Sequence, residues 1–126
     1  MTLGPAAPIA FVSTTDPARA RDFYERVLGL TFVADEGFAL VFDLAGTMLR
    51  VTRVDELRPQ PFTVLGWRVD GIETVVRQLA ARGVAFERFP GLELDALGIW
   101  SSPSGARIAW FRDPDGNLLS LTDFGR

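Results

Sequence analysis

Gly29-Leu30-Thr31-Phe32 returns further along this chain as Gly83-Val84-Ala85-Phe86, and each copy follows the same kind of apolar stripe. Before the first copy, Ala20, Phe23, Tyr24, Val27 and Leu28 stand at i, i+3, i+4, i+7 and i+8. Before the second, Ile72, Val75, Val76, Leu79 and Ala80 repeat that spacing. Apolar residues at this period predict a helix with one side laid on a sheet. Asp16 is placed as N-cap of the first helix, with Pro17 in the first helical position, where its missing N–H costs nothing. Gly29 and Gly83 close the two helices, since glycine takes the left-handed conformation of a helix end without strain. Runs 8–13, 30–34, 38–43 and 47–52 predict strands, with turns at Asp35-Glu36-Gly37 and Ala45-Gly46. After 53–61, which has the two prolines and the charge of a linker, strands are expected over 62–69 and 84–89, with an extended piece around 99–101 and a closing hairpin. Each half therefore spells βαβββ, and two copies are too few for a solenoid.

The hairpin can be read residue by residue. Asp113, Pro114, Asp115 and Gly116 fill the four places of a type I turn as that turn prefers them. Residues 107–112 enter the turn as a strand and 117–123 leave it. A four-residue turn pairs Arg112 with Asn117, which sets Phe111 opposite Leu118, on the face of Ser120, and sends Trp110 to the helix side. A bulge exchanges the two aromatics.

With 126 residues the chain is expected to form one domain, 1–126, with modules at 8–52 and 62–124. A chain of this size buries somewhat more than ~60% of its unfolded surface. Residues 1–7, punctuated by Gly4 and Pro5, are expected to form a loose tail. The net charge of −3 arises from 13 basic residues, all Arg, against 16 acidic ones, with no long block of either sign. That pattern argues against nucleic acid as a partner. The chain has no Cys and no His. Disulfides, thiol nucleophiles and thiolate metal sites are excluded, and the commonest metal ligand and general base are missing. The N-terminus has neither a basic start nor an apolar run, and no apolar run approaches the ~20 residues of a membrane span. A soluble, cytoplasmic protein with no membrane partner is expected.

An aromatic residue, then DPDGN, then an apolar strand near the C-terminus resembles the closing hairpin of the vicinal oxygen chelate superfamily, which holds glyoxalases, bleomycin-resistance proteins and extradiol dioxygenases. Residues 16–30, DPARARDFYERVLGL, look like that family's first helix. The resemblance runs from 8 to 124. It implies an α+β fold, two βαβββ repeats forming a strongly curved mixed sheet around a cup with helices outside, and by family habit a homodimer. Metal-using members take one ligand from each of four strands facing the cup, typically His on the first strand of each half and Glu on the last. Here those places fall at Ile9 or Ala10, at Val64 or Thr63, at Arg50 and at Ser120. Apolar residues, an arginine and a serine cannot grip a divalent cation, because a hydroxyl alone is too weak and a guanidinium repels the ion. A site rebuilt from carboxylates such as Asp43 or Glu93 needs at least three to converge, and nothing in the spacing suggests it. No metal and no other cofactor is expected.

What the resemblance then implies is a cup without a metal, and a concave apolar pocket with a few polar groups is the usual form of a small-molecule site. Strand alternation assigns Phe11, Ser13, Arg50, Gly66, Arg68, Phe111 and Ser120 to its face. Arg50 either offers its planar donor fork to an anionic group or is a solvated surface charge. Arg68, near a strand end, is a weaker case of the same kind, since it reaches water easily. Trp100 lies in a loop, 97–105, resembling one in uncharacterised members of the family; it either stacks on a planar ligand or packs into the core or a dimer contact. Phe23 and Tyr24 belong to the core. The leading expectation is a metal-independent binding protein of the glyoxalase/bleomycin-resistance type for a small, apolar or aromatic molecule with an anionic group. The alternative is a metal-independent lyase or isomerase in which Arg50 stabilises an oxyanion and Ser120 or a carboxylate moves a proton. Without His, Cys or Lys the general base is limited to Asp, Glu and Tyr24. A third reading is a structural or regulatory partner protein.

Overall fold

The computed structural model describes residues 2–126, so Met1, the head of the expected tail, lies outside the described residues. The chain divides into two compact units, Met1–Arg58 and Pro59–Arg126. The first contains β1 (Ile9–Thr14), α1 (Pro17–Arg21), a π-helical continuation (Asp22–Val27), β2 (Thr31–Asp35), β3 (Ala39–Leu44) and β4 (Thr47–Arg53). Its sheet has the order β1-β4-β3-β2, with β1 parallel to β4 and the other pairs antiparallel.

Asp16 caps α1 as expected, its Oδ1 accepting the Arg19 N–H at 3.1 Å. Past Arg21 the helix widens, and the Leu28 N–H donates to the Phe23 carbonyl at 2.9 Å, five residues back. The wider turn brings the adjacent Phe23 and Tyr24 inward together with Ala20, while Val27 and Leu28 are only half-buried. Tyr24 meets Phe42 at 6.0 Å between ring centroids, and Phe42 meets Phe32 at 5.5 Å. These contacts identify the helix-covered face of the sheet, which also carries Val12, Leu40, Leu49 and Val51, all buried. Alternation puts Phe11, Val41 and Arg50 on the other face.

The second unit repeats the plan with β5 (Leu65–Arg68), α2 (Ile72–Ala81), β6 (Trp100–Ser101), β7 (Arg107–Arg112) and β8 (Leu118–Asp123). Its order is β5-β8-β7-β6, with β5 parallel to β8. Together these are two four-stranded mixed sheets with their helices, an α+β architecture. No described helix is long and apolar enough to cross a membrane.

Several expectations change here. The strand expected over 62–69 is shorter, as β5 shows. No strand forms over 84–89: Phe86 makes a single antiparallel bridge to Phe111, and the Glu87 N–H donates to the Trp110 carbonyl at 2.8 Å. The reason is that one edge of β7 is shared. β6, the extended piece expected around 99–101, pairs with Arg107 and Ile108 at the other end of that edge, so neither partner runs its full length. In α2, Ile72, Val76 and Leu79 are buried, but Ala80 is exposed, the buried side being narrower than the stripe. Gly71 offers no capping side chain, and the Ile72 N–H donates instead to Asp123 Oδ2 at 3.2 Å. That bond and the Arg107 Nη2 to Glu73 Oε1 contact at 2.7 Å put α2 over the face holding Arg107, Ala109, Phe111, Leu119, Leu121 and Asp123.

The hairpin keeps its turn and changes its register. The Gly116 N–H donates to the Asp113 carbonyl at 2.9 Å, closing the expected type I turn. Gly116 then adds a left-handed residue, φ +89°, and the loop becomes three residues closed by Asp113 and Asn117. Arg112 therefore pairs with Leu118, Phe111 with Leu119 and Trp110 with Ser120. This reverses the expected faces. Phe111 is fully buried on the α2 side, stacked 6.4 Å from Trp67, and Trp110 shares the helix-free face with Ser120.

Candidate functional site

In the first unit, Phe11, Arg50 and Val41 form one row across β1, β4 and β3 on the helix-free face. Ser13, half-buried, is the next inhabitant of that face along β1, opposite Thr52. Arg50 is tied down. Its side chain is 18% exposed, and Nη2 lies 2.6 Å from Glu36 Oε1 in the turn after β2. Its Cζ sits 5.5 Å from the Phe38 ring centroid, and Nη1 lies 3.9 Å from Met48 Sδ. Arg50 is thus a guanidinium held by a carboxylate among apolar groups, three of which are open to solvent: Phe11, Phe38 and Met48. Glu36, Phe38 and Met48 were not foreseen as site residues. In the sequence Glu36 is legible only as part of a turn, and its reach to Arg50 depends on how β2, β3 and β4 pair.

In the second unit, Gly66, Ser120 and Trp110 form a row across β5, β8 and β7 on the helix-free face, and Arg68, Thr122, Ile108 and Trp100 form the next. Trp100 and Trp110 stand 6.1 Å apart between ring centroids, with Phe89 edge-on to Trp110 at 5.6 Å. Trp100 thus packs with Trp110 and Phe89 on this face, where Phe111 was expected to lie. Arg68 is exposed, and its Nη2 donates to the Arg126 carbonyl at 2.9 Å. An open cavity of about 340 Å³ lies at the turn end of the unit, lined by Pro59, Gln60, Pro61, Arg112 and Gly116. Arg112 there is engaged by Glu87 at 3.1 Å and by the Gly116 carbonyl at 2.8 Å.

The places at which the resemblance expects metal ligands hold Ile9, Val64, Arg50 and Ser120. Ile9 and Arg50 share one face of the first sheet, and Ser120 lies on the helix-free face of the second, with Val64 just before β5. Side chains of these types do not fit a divalent cation. Among the described residues no group of three or more Asp, Glu, His or Cys is placed to hold a metal ion.

Two four-stranded mixed sheets, one in each unit and each with its helix, are the α+β fold of glyoxalase-like proteins. The family model for the Glyoxalase/Bleomycin resistance protein/Dioxygenase superfamily matches residues 6–121, and the chain belongs to that superfamily. Solved structures agree on the fold. A glyoxalase family protein from Enterococcus faecalis matches with TM-score 0.73 and 20% identity over 96% of this chain and 99% of that one. A lactoylglutathione lyase from Agrobacterium tumefaciens matches with TM-score 0.72 and 20% identity over 95% of each chain. A fosfomycin resistance protein from Listeria monocytogenes matches with TM-score 0.72 and 13% identity over 94% of this chain and 92% of that one. A search of curated proteins finds no significant match.

Proposed function

We propose that this protein is a metal-independent small-molecule-binding protein of the glyoxalase/bleomycin-resistance type, whose ligand is apolar or aromatic and carries an anionic group. The observation that carries the reading is Arg50. By the family resemblance it takes the place of a glutamate of metal-using members, and it lies on the helix-free face with Phe11, Phe38 and Met48 around it. A guanidinium in a largely apolar setting binds a carboxylate through charge-assisted hydrogen bonds of well-defined geometry. Glu36, its side chain 43% exposed, already makes that contact from within the chain. An incoming anion takes the place of Glu36 while its apolar part covers Phe11 and Met48. The proposed partners are this small molecule and a second copy of the chain, in the cytoplasm, with no nucleic acid and no membrane.

Binding of benzoate and of uncharged benzamide, measured calorimetrically on the wild type and on Arg50→Ala, tests the reading. Benzoate is expected to bind the wild type more tightly and to lose about tenfold in Arg50→Ala, with benzamide little changed. Equal benzoate binding by both proteins would remove Arg50 from the site. Stoichiometric zinc, nickel, iron or manganese in the purified protein would overturn metal independence, and a monomer in sedimentation equilibrium would overturn the dimer.

A further inference from the structure

We infer that the cavity at the turn end of the second unit binds a small uncharged molecule with an aromatic ring and a carbonyl oxygen, an aryl ketone in kind, with Arg112 as donor and Pro59 and Pro61 as apolar walls. The site shares no residue with the Arg50 reading, and Gly66, Ser120 and Trp110 do not line it.

The hollow has a volume of about 340 Å³, within the range of small-molecule sites, and two stretches of the chain build it: Pro59, Gln60 and Pro61 ahead of β5, and Arg112 and Gly116 of the hairpin. The prolines present rings and no N–H, a surface suited to the face of an aromatic ring. Gly116 sets how near they come. A Cβ there would lie 2.9 Å from Pro59 Cγ and 3.3 Å from Pro59 Cβ, so the bare glycine is what lets the proline settle against the loop. Arg112 supplies the polarity. Its Nε donates to Glu87 Oε1 at 3.1 Å and its Nη1 to the Gly116 carbonyl at 2.8 Å, which holds the planar group at two corners and leaves Nη2 without a partner among the described residues. A guanidinium so fixed offers its remaining N–H groups to an acceptor at little further ordering cost. Glu87 decides the acceptor's charge. Its N–H donates to the Trp110 carbonyl at 2.8 Å and its neighbour Phe86 bridges to Phe111, so the carboxylate is anchored beside β7 and stays with Arg112 when a ligand enters. With the pair already neutral, an anion meets the Glu87 charge, whereas a carbonyl oxygen accepts from Nη2 without that repulsion.

The test follows the Arg112 Nε–H and Gly116 N–H resonances of the full chain during titration with acetophenone, with toluene, which lacks the carbonyl, and with benzoate, in which a carboxylate replaces the ketone. Acetophenone is expected to shift both resonances and to bind there about tenfold tighter than either of the others. Arg112→Met should abolish the preference for acetophenone over toluene, read at Gly116. Glu87→Gln keeps an acceptor for Nε and removes the charge, so benzoate should rise to at least the affinity of acetophenone; a merely structural role for the pair would not invert that order. Pro61→Ala should weaken acetophenone and toluene alike. Equal affinity of the wild type for acetophenone and toluene, no shift at either resonance, or a Glu87→Gln chain that still disfavours benzoate would each overturn the inference, and these readouts decide even if Arg112→Met does not fold. Arg50→Ala should leave the shifts unchanged. Their loss would return the binding to Arg50 and overturn this inference, while benzoate indifferent to Arg50 beside intact acetophenone binding at Gly116 would sink the Arg50 reading alone.

Discussion

Replacing Asp113 by alanine puts the hairpin to a quantitative trial. The residue is 5% exposed, and its carboxylate is the acceptor around which the loop closes. Oδ1 takes the Asp115 N–H at 3.0 Å and the Asn117 N–H at 2.9 Å; Oδ2 takes the Asn117 side-chain amide at 2.8 Å. Truncation strands three donors, and two of them belong to Asn117, itself 6% exposed. A hydrogen bond to a charged group contributes about 1.5–3 kcal/mol, but three bonds to one carboxylate are not additive, and the Asp115 bond is only part-buried. The working figure is therefore about 3 kcal/mol, or a fall of roughly 10 °C in Tm for a chain of this size. Asp113→Asn retains an acceptor at one oxygen and should lose about half as much. Urea unfolding followed by circular dichroism measures both. A loss below about 1 kcal/mol for the alanine variant, or equal losses for the two variants, would refute the assignment of loop closure to this carboxylate.

Other consequences are as open to measurement. Gly116→Ala forces a left-handed φ of +89° on a residue with a side chain and brings its Cβ to 2.9 Å from Pro59 Cγ; the expected cost is about 2 kcal/mol or more in the same unfolding assay, and a loss under about 0.5 kcal/mol would show that the loop closes differently. The Asp123 carboxyl is held below the usual carboxylate range by the backbone N–H groups of Gly125 and Ile72. With a folded pKa below the unfolded value of about 3.9, its contribution is present above that value and fades as pH falls through the folded pKa. Wild type and Asp123→Asn should therefore differ in unfolding midpoint at neutral pH and converge in acid, and a constant difference across that range would contradict the capping of α2 by this carboxylate. Glu36→Gln releases Arg50 from its internal partner, so benzoate affinity is expected to rise about threefold at low salt; an unchanged or lower affinity would show that Glu36 does not compete for the site.

Much of this architecture is legible in the sequence alone. The two helices, the Asp16 cap and the Asp-Pro-Asp-Gly turn are local features, set by contacts within a few residues, and each stands where the sequence put it, although the buried side of each helix is narrower than its stripe. Phe23 and Tyr24 were read as core and are core.

What the tertiary structure decided was direction and partnership. One left-handed glycine, Gly116, moved the last hairpin by a single residue, and because side chains alternate along a strand that step exchanged Phe111 for Trp110 on the helix-free face. The strand expected over 84–89 lost its ladder because β6 claimed part of the same edge, a competition between segments far apart in the chain. Arg50 was an arginine of unknown aim until the pairing of β2, β3 and β4 brought Glu36 within 2.6 Å. Periodicity fixes which residues share a side; only the assembled sheet, where non-local hydrogen bonds compete, determines what that side faces.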